Sequence, residues 1–315
     1  MTTLPLHLNP AAIGLIALFA SVIWMLRDER DRTRPVLVVA LVINLAYGFL
    51  LNVIMGQENG LVPWKFDHIL AAMDTSLGID TPGIASSLQG GWRLMLGIVY
   101  DLMVPTMIVW YIVGRYKSGP GSILHAYIAE MLTGPLLYAI VPACGPLYAF
   151  GPAWLHAPVA HAGLIRLSGM PNAFPSLHVG TAIVFVFCSR GKLWRVAALA
   201  MLAGTVLATL STGEHYAIDL VAGLAFGCFA AAVGRRRAFT AVFNLAVAVG
   251  WSFAVRLRFQ FLLDRPDVLK LCAAATVLAA IFSIATEWMR SERNHAAELV
   301  DDLDSSCQWE ISRTA

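Results

Sequence analysis

The stretch His215-Tyr216-Ala217-Ile218-Asp219 opens an apolar run that continues to residue 233, and Pro175-Ser176-Leu177-His178 opens another that ends near 189. Long apolar runs predict membrane-spanning helices, because hydrocarbon offers no partners for exposed polar groups. Ionisable side chains are costly in such runs and usually mark functional positions. Two runs that begin with histidine motifs therefore predict a helical membrane protein with a polar site at one of its faces.

The composition of the whole chain supports this interpretation. The 315 residues are 58% hydrophobic and 13% charged, with a mean hydropathy of +0.69, whereas a soluble domain carries about 25% charged residues. We expect an all-α polytopic membrane protein with eight to nine transmembrane helices. The predicted spans lie at about 10–26, 36–55, 94–114, 122–143, 173–189, 193–210, 215–233, 238–255 and 268–288.

The distribution of basic residues predicts the orientation of these spans. With nine spans, fifteen Lys and Arg residues fall on one side and seven on the other, and the richer side is cytoplasmic by the positive-inside rule. Both histidine motifs then face outward. Arg235-Arg236-Arg237 is interpreted as a topology determinant, and nothing predicts nucleic-acid binding. Short loops without glycosylation or retention signals favour a bacterial inner membrane.

Four segments are expected along the chain. Residues 1–93 hold N-terminal spans and an interfacial amphipathic helix at 64–78, with polar Lys65, Asp67 and Asp74 opposite its apolar side. A catalytic core follows at 94–237, then C-terminal spans at 238–290 and a polar cytoplasmic tail at 291–315. Within the core, the long outer loop 144–173 is expected to cover the site.

The two motifs together predict phosphoryl-transfer chemistry. His215 and Asp219 are spaced i, i+4, so that on one helix face the carboxylate can orient the imidazole by a hydrogen bond. His178 can then serve as the proton donor at phosphorus. Ser176 begins a helix whose first amides form a potential anion site. No cofactor or metal site is indicated, since the five cysteines lack ligand spacing. The alternative is a transporter with a histidine ion path, although no internal repeat is visible.

These motifs resemble those of the type 2 phosphatidic acid phosphatase superfamily. Its Pro-Ser-x-His motif matches residues 175–178, and its His-x-x-x-Asp motif matches residues 215–219. The resemblance implies a six-helix core and a covalent phosphohistidine on His215. It further implies Asp219 as the partner of that histidine and His178 as general acid and base.

Two departures from the superfamily pattern point to one of its branches. The first motif, a lysine followed by six intervening residues and then Arg-Pro, is absent, and Thr209 stands where an arginine is usual. Phe-Pro-Ser-Leu-His at 174–178, His-Tyr-x-x-Asp at 215–219 and the stretch 142–148 are similar to the branch of inositol phosphorylceramide synthase and the sphingomyelin synthases. This branch transfers a phospho-headgroup, here expected to be phosphoinositol, from a glycerophospholipid to a lipid alcohol such as ceramide or diacylglycerol. A lipid phosphate phosphatase that uses water is the alternative.

Five residues are expected to contact the substrate, and some have a simpler alternative. Ser176 is a phosphate ligand or only a helix cap, and Arg166 replaces a missing cation or is an ordinary loop arginine. Thr209, Tyr148 and Tyr216 lie in or beside the motifs. The predicted partners are the phospholipid donor, the lipid alcohol acceptor and the membrane; no oligomeric state is predicted.

Overall fold

The computed structural model describes residues 62–101, 103, 122–155 and 162–314. In this part of the chain the protein is almost entirely helical, which confirms the all-α prediction. A two-stranded antiparallel ribbon joins β1 (Trp64–Lys65) to β2 (Ile165–Arg166). The helices are α1 (Asp67–Leu77), α2 (Thr81–Ser87), α3 (Gly91–Asp101), α4 (Ser122–Ile140), α5 (Pro146–Phe150), α6 (Leu177–Cys188), α7 (Lys192–Thr212), α8 (Ala217–Gly234), α9 (Ala238–Asp264) and α10 (Pro266–Thr314), with a 3₁₀ turn at Gly151–Leu155.

Four of the described helices are long and apolar enough to cross a membrane: Lys192–Thr212, Ala217–Gly234, Ala238–Asp264 and Pro266–Asn294. They correspond to the last four predicted spans, and the protein is an integral membrane protein. The predicted spans 10–26 and 36–55, and most of 94–114, lie outside the described residues.

The predicted span 173–189 is wrong in its length. Its helix, α6, has only 12 residues, which extend about 18 Å and fall short of a hydrocarbon core about 30 Å thick. The predicted span 122–143 forms the 19-residue α4, with Pro135 inside it.

Helix α8 forms the centre of the fold and is buried along most of its length. It packs against α4, α6, α9 and α10. A Cβ atom on Gly223 would lie 2.7 Å from the carbonyl oxygen of Ser176, and one on Gly227 would lie 2.5 Å from that of Gly180. Small residues at this spacing let two helix backbones approach closely. They bring α6, and with it His178, against α8.

Helix α1 occupies the predicted interfacial segment, but its polar side is not turned away from the protein. Lys65 and Asp67 are fully buried and Asp74 is 4% exposed, whereas Trp64, expected as an anchor, is 53% exposed. Buried carboxylates are tolerated only when donors satisfy them. The two aspartates of α1 find such donors in the histidine site.

The opposite end of α6 and α8 carries the basic residues. Glu287 of α10 is buried there and forms ion pairs with Arg235 at 3.8 Å, Arg237 at 3.2 Å and Arg290 at 3.4 Å. Arg235 also donates to the carbonyl of Cys188 at 3.0 Å. The histidine motifs and this basic cluster therefore lie at opposite ends of the same helices.

Candidate active site

Backbone and ring hydrogen bonds join the two histidine motifs. The Ser176 amide donates to the carbonyl of Asp219 at 3.1 Å. The Nδ1 atom of His215 lies 2.8 Å from the carbonyl oxygen of Ala173. Residues about 40 positions apart in the sequence thus form one buried site at the start of α6 and α8.

The contact with Ala173 fixes the protonation pattern of the His215 ring. A carbonyl oxygen can only accept, so Nδ1 must carry the hydrogen. In the neutral imidazole Nε2 then keeps its lone pair and is the atom able to act as a nucleophile. The side chain is 2% exposed, so the ring is held in an environment that contains little water.

Asp219 lies beside this ring but is not its closest partner. Its Oδ2 atom is 3.5 Å from Nδ1 of His215 and accepts the Tyr216 amide at 2.8 Å. The expectation that both side chains sit on one helix face is wrong, because α8 begins at Ala217, two residues after His215. Among the described residues, the buried Oδ1 atom of Asp219 accepts no hydrogen bond.

His178 lies next to His215 at the mouth of α6. The two rings meet edge to face, with centroids 5.8 Å apart. The His178 ring also stacks on Tyr100 of α3, with centroids 4.0 Å apart. This stacking fixes the plane of a partly buried imidazole, as a proton donor to one defined position requires.

Ser176 is fully buried and caps α6, where its Oγ atom accepts the Val179 amide at 3.4 Å. Its carbonyl accepts the Gly180 amide at 3.0 Å. Within the part of the chain that the structure describes, no acceptor is found for the amides of Leu177 and His178. Helix N-termini with unpaired amides attract anions.

One turn beyond His178, Thr181 donates its hydroxyl to Glu130 of α4 at 3.1 Å. Glu130 is fully buried, and its Oε1 atom would lie 2.6 Å from a Cβ atom on Gly180. The carboxyl group therefore fits against the bare backbone of α6. This contact holds α6 to α4 behind the site.

Two aspartates of α1, predicted to lie opposite the apolar side of an interfacial helix, fasten the His215 segment. Asp74 accepts the amides of Ala217 at 2.7 Å and Ile218 at 3.0 Å, and the Thr81 hydroxyl at 2.9 Å. Burial raises its pKa to about 7, against the lowering effect of the two amides.

Asp67 acts in the same way about two helical turns earlier in α1. It accepts the amides of Cys144 at 3.0 Å and Gly145 at 2.8 Å and the Tyr216 hydroxyl at 3.1 Å. Burial raises its pKa to about 6. The sequence feature that could have identified both residues as buried is their i, i+7 spacing. This spacing places them on the same helix face as the buried Leu70.

The 144–155 segment, part of the predicted loop, packs directly on the His215 turn. Leu147 donates its amide to the carbonyl of Gly213 at 2.8 Å. Gly213 has φ +77°, and a Cβ atom there would lie 2.8 Å from the ring of Trp154. Only glycine combines this backbone conformation with so close an approach.

The predicted substrate contacts occupy different environments. Tyr216 is 2% exposed and bound to Asp67, whereas Tyr148 is 55% exposed and its hydroxyl lies 3.5 Å from Glu214 Oε1. The charge of Glu214 raises the pKa of Tyr148. Thr209 is fully buried and donates within its own helix, to the carbonyls of Thr205 and Val206 at 3.0 Å.

Arg166 lies at the surface of the protein. It is exposed on β2 of the ribbon, opposite Trp64. The structure therefore brings His178, His215, Asp219, Ser176 and Tyr216 together in one buried cluster and leaves Arg166 and Tyr148 exposed.

Comparison with known proteins agrees with this arrangement. No curated protein and no solved structure matches the chain significantly. The PAP2 superfamily matches residues 68–233, more than half of the chain, in a region that begins in α1 and includes both histidine motifs. The protein therefore belongs to the PAP2 superfamily, whose members carry out phosphatase and phosphotransferase chemistry on lipids.

Proposed function

We propose that the protein is a lipid headgroup phosphotransferase that works through a phosphohistidine on His215. The observation that carries this proposal is the contact between Nδ1 of His215 and the Ala173 carbonyl, which leaves Nε2 as the free nitrogen. A second imidazole, that of His178, lies within 5.8 Å of the same ring. The proposed nucleophile and the proposed proton donor are thus adjacent.

In the first step, Nε2 of His215 attacks the phosphorus of the donor phospholipid. The bond from phosphorus to the diacylglycerol oxygen breaks, and protonated His178 gives its proton to that oxygen. The ring of His215 now carries positive charge next to Asp219, whose carboxylate at 3.5 Å stabilises it.

In the second step, neutral His178 takes the proton of the acceptor hydroxyl. The acceptor oxygen attacks phosphorus, the Nε2–phosphorus bond breaks, and His215 is restored. His178 regains the proton that it gave up, so the cycle needs no other acid, base or cofactor.

The donor phosphate is proposed to sit over the start of α6 and not over that of α8. At α8 the first amides, those of Ala217 and Ile218, are already held by Asp74. At α6 the amides of Leu177 and His178 have no acceptor among the described residues. Ser176 orders this turn, and Arg166 at the surface is proposed to attract the anionic donor.

The closed surroundings of His215 support an alcohol, not water, as the acceptor. The ring is 2% exposed, and the 144–155 segment packs on the turn that carries it. A phosphohistidine held there is shielded from hydrolysis until a second lipid arrives. Phosphoinositol as the headgroup, and ceramide or diacylglycerol as the acceptor, are proposed on the resemblance to inositol phosphorylceramide synthase. The position of the basic cluster at the other end of the helices supports an outward-facing site. A bacterial inner membrane is proposed on the short loops of the sequence alone.

The test uses purified protein in detergent with phosphatidylinositol labelled in its phosphate. Lipid products are resolved with and without added ceramide or diacylglycerol, for the wild type, for His215→Ala and for His125→Ala. His125 is an exposed histidine of α4 and serves as the matched control.

A labelled phosphoinositol lipid that forms only with the acceptor, in the wild type and the control but not in His215→Ala, supports the transferase. An acid-labile label on the protein supports the phosphohistidine. Water-soluble label without a lipid product would instead make the protein a hydrolase, and full turnover by His215→Ala would refute the mechanism.

A further inference from the structure

A cavity of about 460 Å³ lies beside the His215 segment, between α1, α2 and the 146–155 segment. Neither histidine lines it. Its lining residues are Ala71, Asp74, Thr75, Gly78, Ile79, Asp80, Thr81, Pro82, Pro146, Phe150, Trp154 and Tyr216. A volume of this size accommodates a small-molecule group.

The cavity has an open side and a buried side. Thr75, Gly78 and Asp80 are exposed and form its mouth, whereas Asp74 and Tyr216 are buried and form its floor. These floor residues also hold in place the segment that carries His215.

Three contacts connect this floor to the His215 segment. Tyr216 directly follows the histidine, Asp74 holds the amides of the next two residues, and Trp154 packs on Gly213, two residues before it. A group bound in the cavity therefore lies against the segment that carries His215.

The hydroxyl donors of the lining are already used inside the protein. Thr75 donates to the Ala71 carbonyl at 3.1 Å, Thr81 donates to Asp74 at 2.9 Å, and Tyr216 donates to Asp67 at 3.1 Å. What these side chains still offer to a ligand is oxygen lone pairs.

The carboxylates add to this bias toward acceptors. Asp80 caps α2 by accepting the Gly83 amide at 2.9 Å through Oδ1 and retains further acceptor capacity at the mouth. Among the described lining residues there is no basic side chain. Apart from the indole N–H of Trp154, the polar side chains of the lining offer acceptor oxygens. The cavity is therefore matched better to a ligand that donates hydrogen bonds and has apolar flanks than to a phosphate, which only accepts.

We propose that this cavity is the binding subsite for the accepting alcohol, an uncharged lipid whose hydrogen-bond donors other than the reacting hydroxyl donate to the oxygen atoms of Asp80 and the threonines. The proposal rests on the transferase function proposed above and separates the two substrates in space. The donor phosphate lies at the start of α6, and the alcohol approaches from the side of α1 and α2. Trp154, Phe150 and Ile79 supply the apolar surface for the part of the lipid next to the hydroxyl.

One basic residue lies near the mouth and does not alter this match. Lys270 of α10 is exposed, and its Nζ atom would lie 4.0 Å from a Cβ atom on Gly78. It stands outside the lining, where its charge is screened by solvent. Inside the cavity the two carboxylates still disfavour an anion.

The test separates the kinetics of the two substrates. Ala71→Leu places a larger side chain in the cavity from a helix position that leucine suits. Ala72→Leu, its neighbour on α1 and not a lining residue, is the matched control. Labelled phosphatidylinositol is the donor, and short-chain ceramide or diacylglycerol is titrated as the acceptor.

For Ala71→Leu we expect the acceptor KM to rise about tenfold, while the donor KM and the single-turnover labelling of His215 without acceptor stay within a factor of about two of the control. Asp80→Asn keeps the α2 cap but replaces one acceptor oxygen by a donor, and we expect a rise of about threefold in acceptor KM alone. An unchanged acceptor KM in both variants would overturn the subsite. So would equal losses in donor labelling and transfer, since these would place the donor in the cavity.

Failure of the function itself has a different signature. If the wild type forms neither labelled His215 nor a lipid product, the transferase proposal fails before any variant is compared. If the wild type transfers normally and both Ala71→Leu and Asp80→Asn behave like the control Ala72→Leu, the proposed function stands and the subsite is refuted.

Discussion

The carboxylate of Asp74 accepts the amide hydrogen of Ala217 at 2.7 Å, across 143 positions of the sequence. Its second oxygen accepts the neighbouring amide of Ile218. A helix N-terminus normally offers such amides to an anionic ligand or to water, but here a residue of α1 occupies them permanently. Helix α1 is therefore part of the structure that positions His215.

Asp74→Ala is expected to reduce both stability and turnover. The substitution leaves two buried amides without an acceptor, at a cost of about 1–3 kcal/mol each before water or the chain adjusts. Because these amides follow His215 directly, a small shift of the segment also displaces Nε2. We expect kcat to fall at least about tenfold, together with a lower apparent Tm in detergent.

Asp264→Ala removes an exposed carboxylate at the end of α9 and is the matched control. It should leave both quantities unchanged. Wild-type kcat in Asp74→Ala would show that the hydrogen bonds to α8 do not position the nucleophile.

Asp74 also predicts a pH dependence of stability. Burial raises its pKa to about 7, whereas an unfolded aspartate titrates at about 4. Between these values the folded protein holds a proton that the unfolded chain has released, so the free energy of unfolding falls as the pH rises from about 4 to about 7. Asp74→Asn lacks this titration. Apparent Tm, measured at pH 5 and 7.5 for both proteins, should fall more in the wild type than in the variant, and equal falls would contradict the raised pKa.

The sequence predicted the superfamily and the long spanning helices better than the contacts that support the histidine site. Apolar run length was enough to find α7 to α10, because crossing a membrane demands length and hydrophobicity and both are visible in one segment. It failed for α6, whose 12 residues continue a predicted run that begins in non-helical backbone at residue 173. The i, i+4 spacing of His215 and Asp219 indicated proximity correctly but assigned the wrong local structure.

The contacts that hold the site in place could not be predicted from the sequence, for a different reason. The partner of His215 Nδ1 is the carbonyl of Ala173, and every residue has a carbonyl, so its identity leaves no sequence signal. Asp67 and Asp74 looked like a solvated helix face because their donors are distant backbone amides. Tertiary hydrogen bonds of this kind override the amphipathic pattern.

Asp219→Asn is expected to slow the reaction less than the loss of an orienting carboxylate usually does. In a serine protease triad that change costs about 10⁴ in kcat, because the histidine adopts the wrong tautomer. Here the Ala173 carbonyl holds the hydrogen on Nδ1 independently of Asp219. What is lost is the charge that stabilises the phosphorylated ring, so we expect a fall of about 10²-fold or less in kcat.

Steady-state kinetics of Asp219→Asn beside His215→Ala provides the measurement. Equal losses in the two variants would show that Asp219, and not Ala173, controls the ring. Circular dichroism checks that the Asn variant keeps the helical fold.

Arg166→Ala is expected to change donor binding and little else. The side chain is exposed on the ribbon, and exposed charge pairs contribute about 1 kcal/mol at most. We expect donor KM to rise up to about fivefold with kcat unchanged, and the difference to disappear at high salt. Arg93→Ala, which removes another exposed arginine, should not produce this effect. A large fall in kcat would instead place Arg166 on the reacting phosphate.

Gly227→Ala tests whether the close approach of α6 and α8 sets the position of His178. The new Cβ atom would lie 2.5 Å from the Gly180 carbonyl and 2.7 Å from the Cβ of Ile183, so the helices must separate. Overpacking of this kind costs about 1–3 kcal/mol, and a displacement near 1 Å at the catalytic imidazole slows turnover roughly a hundredfold.

Gly250→Ala makes the same substitution within α9, where nothing lies within 4 Å, and should be neutral or stabilising by up to about 1 kcal/mol. Because both variants add one methyl group to a glycine in a membrane helix, a loss confined to Gly227→Ala isolates the contact between α6 and α8. Equal activities would show that His178 keeps its position without that contact.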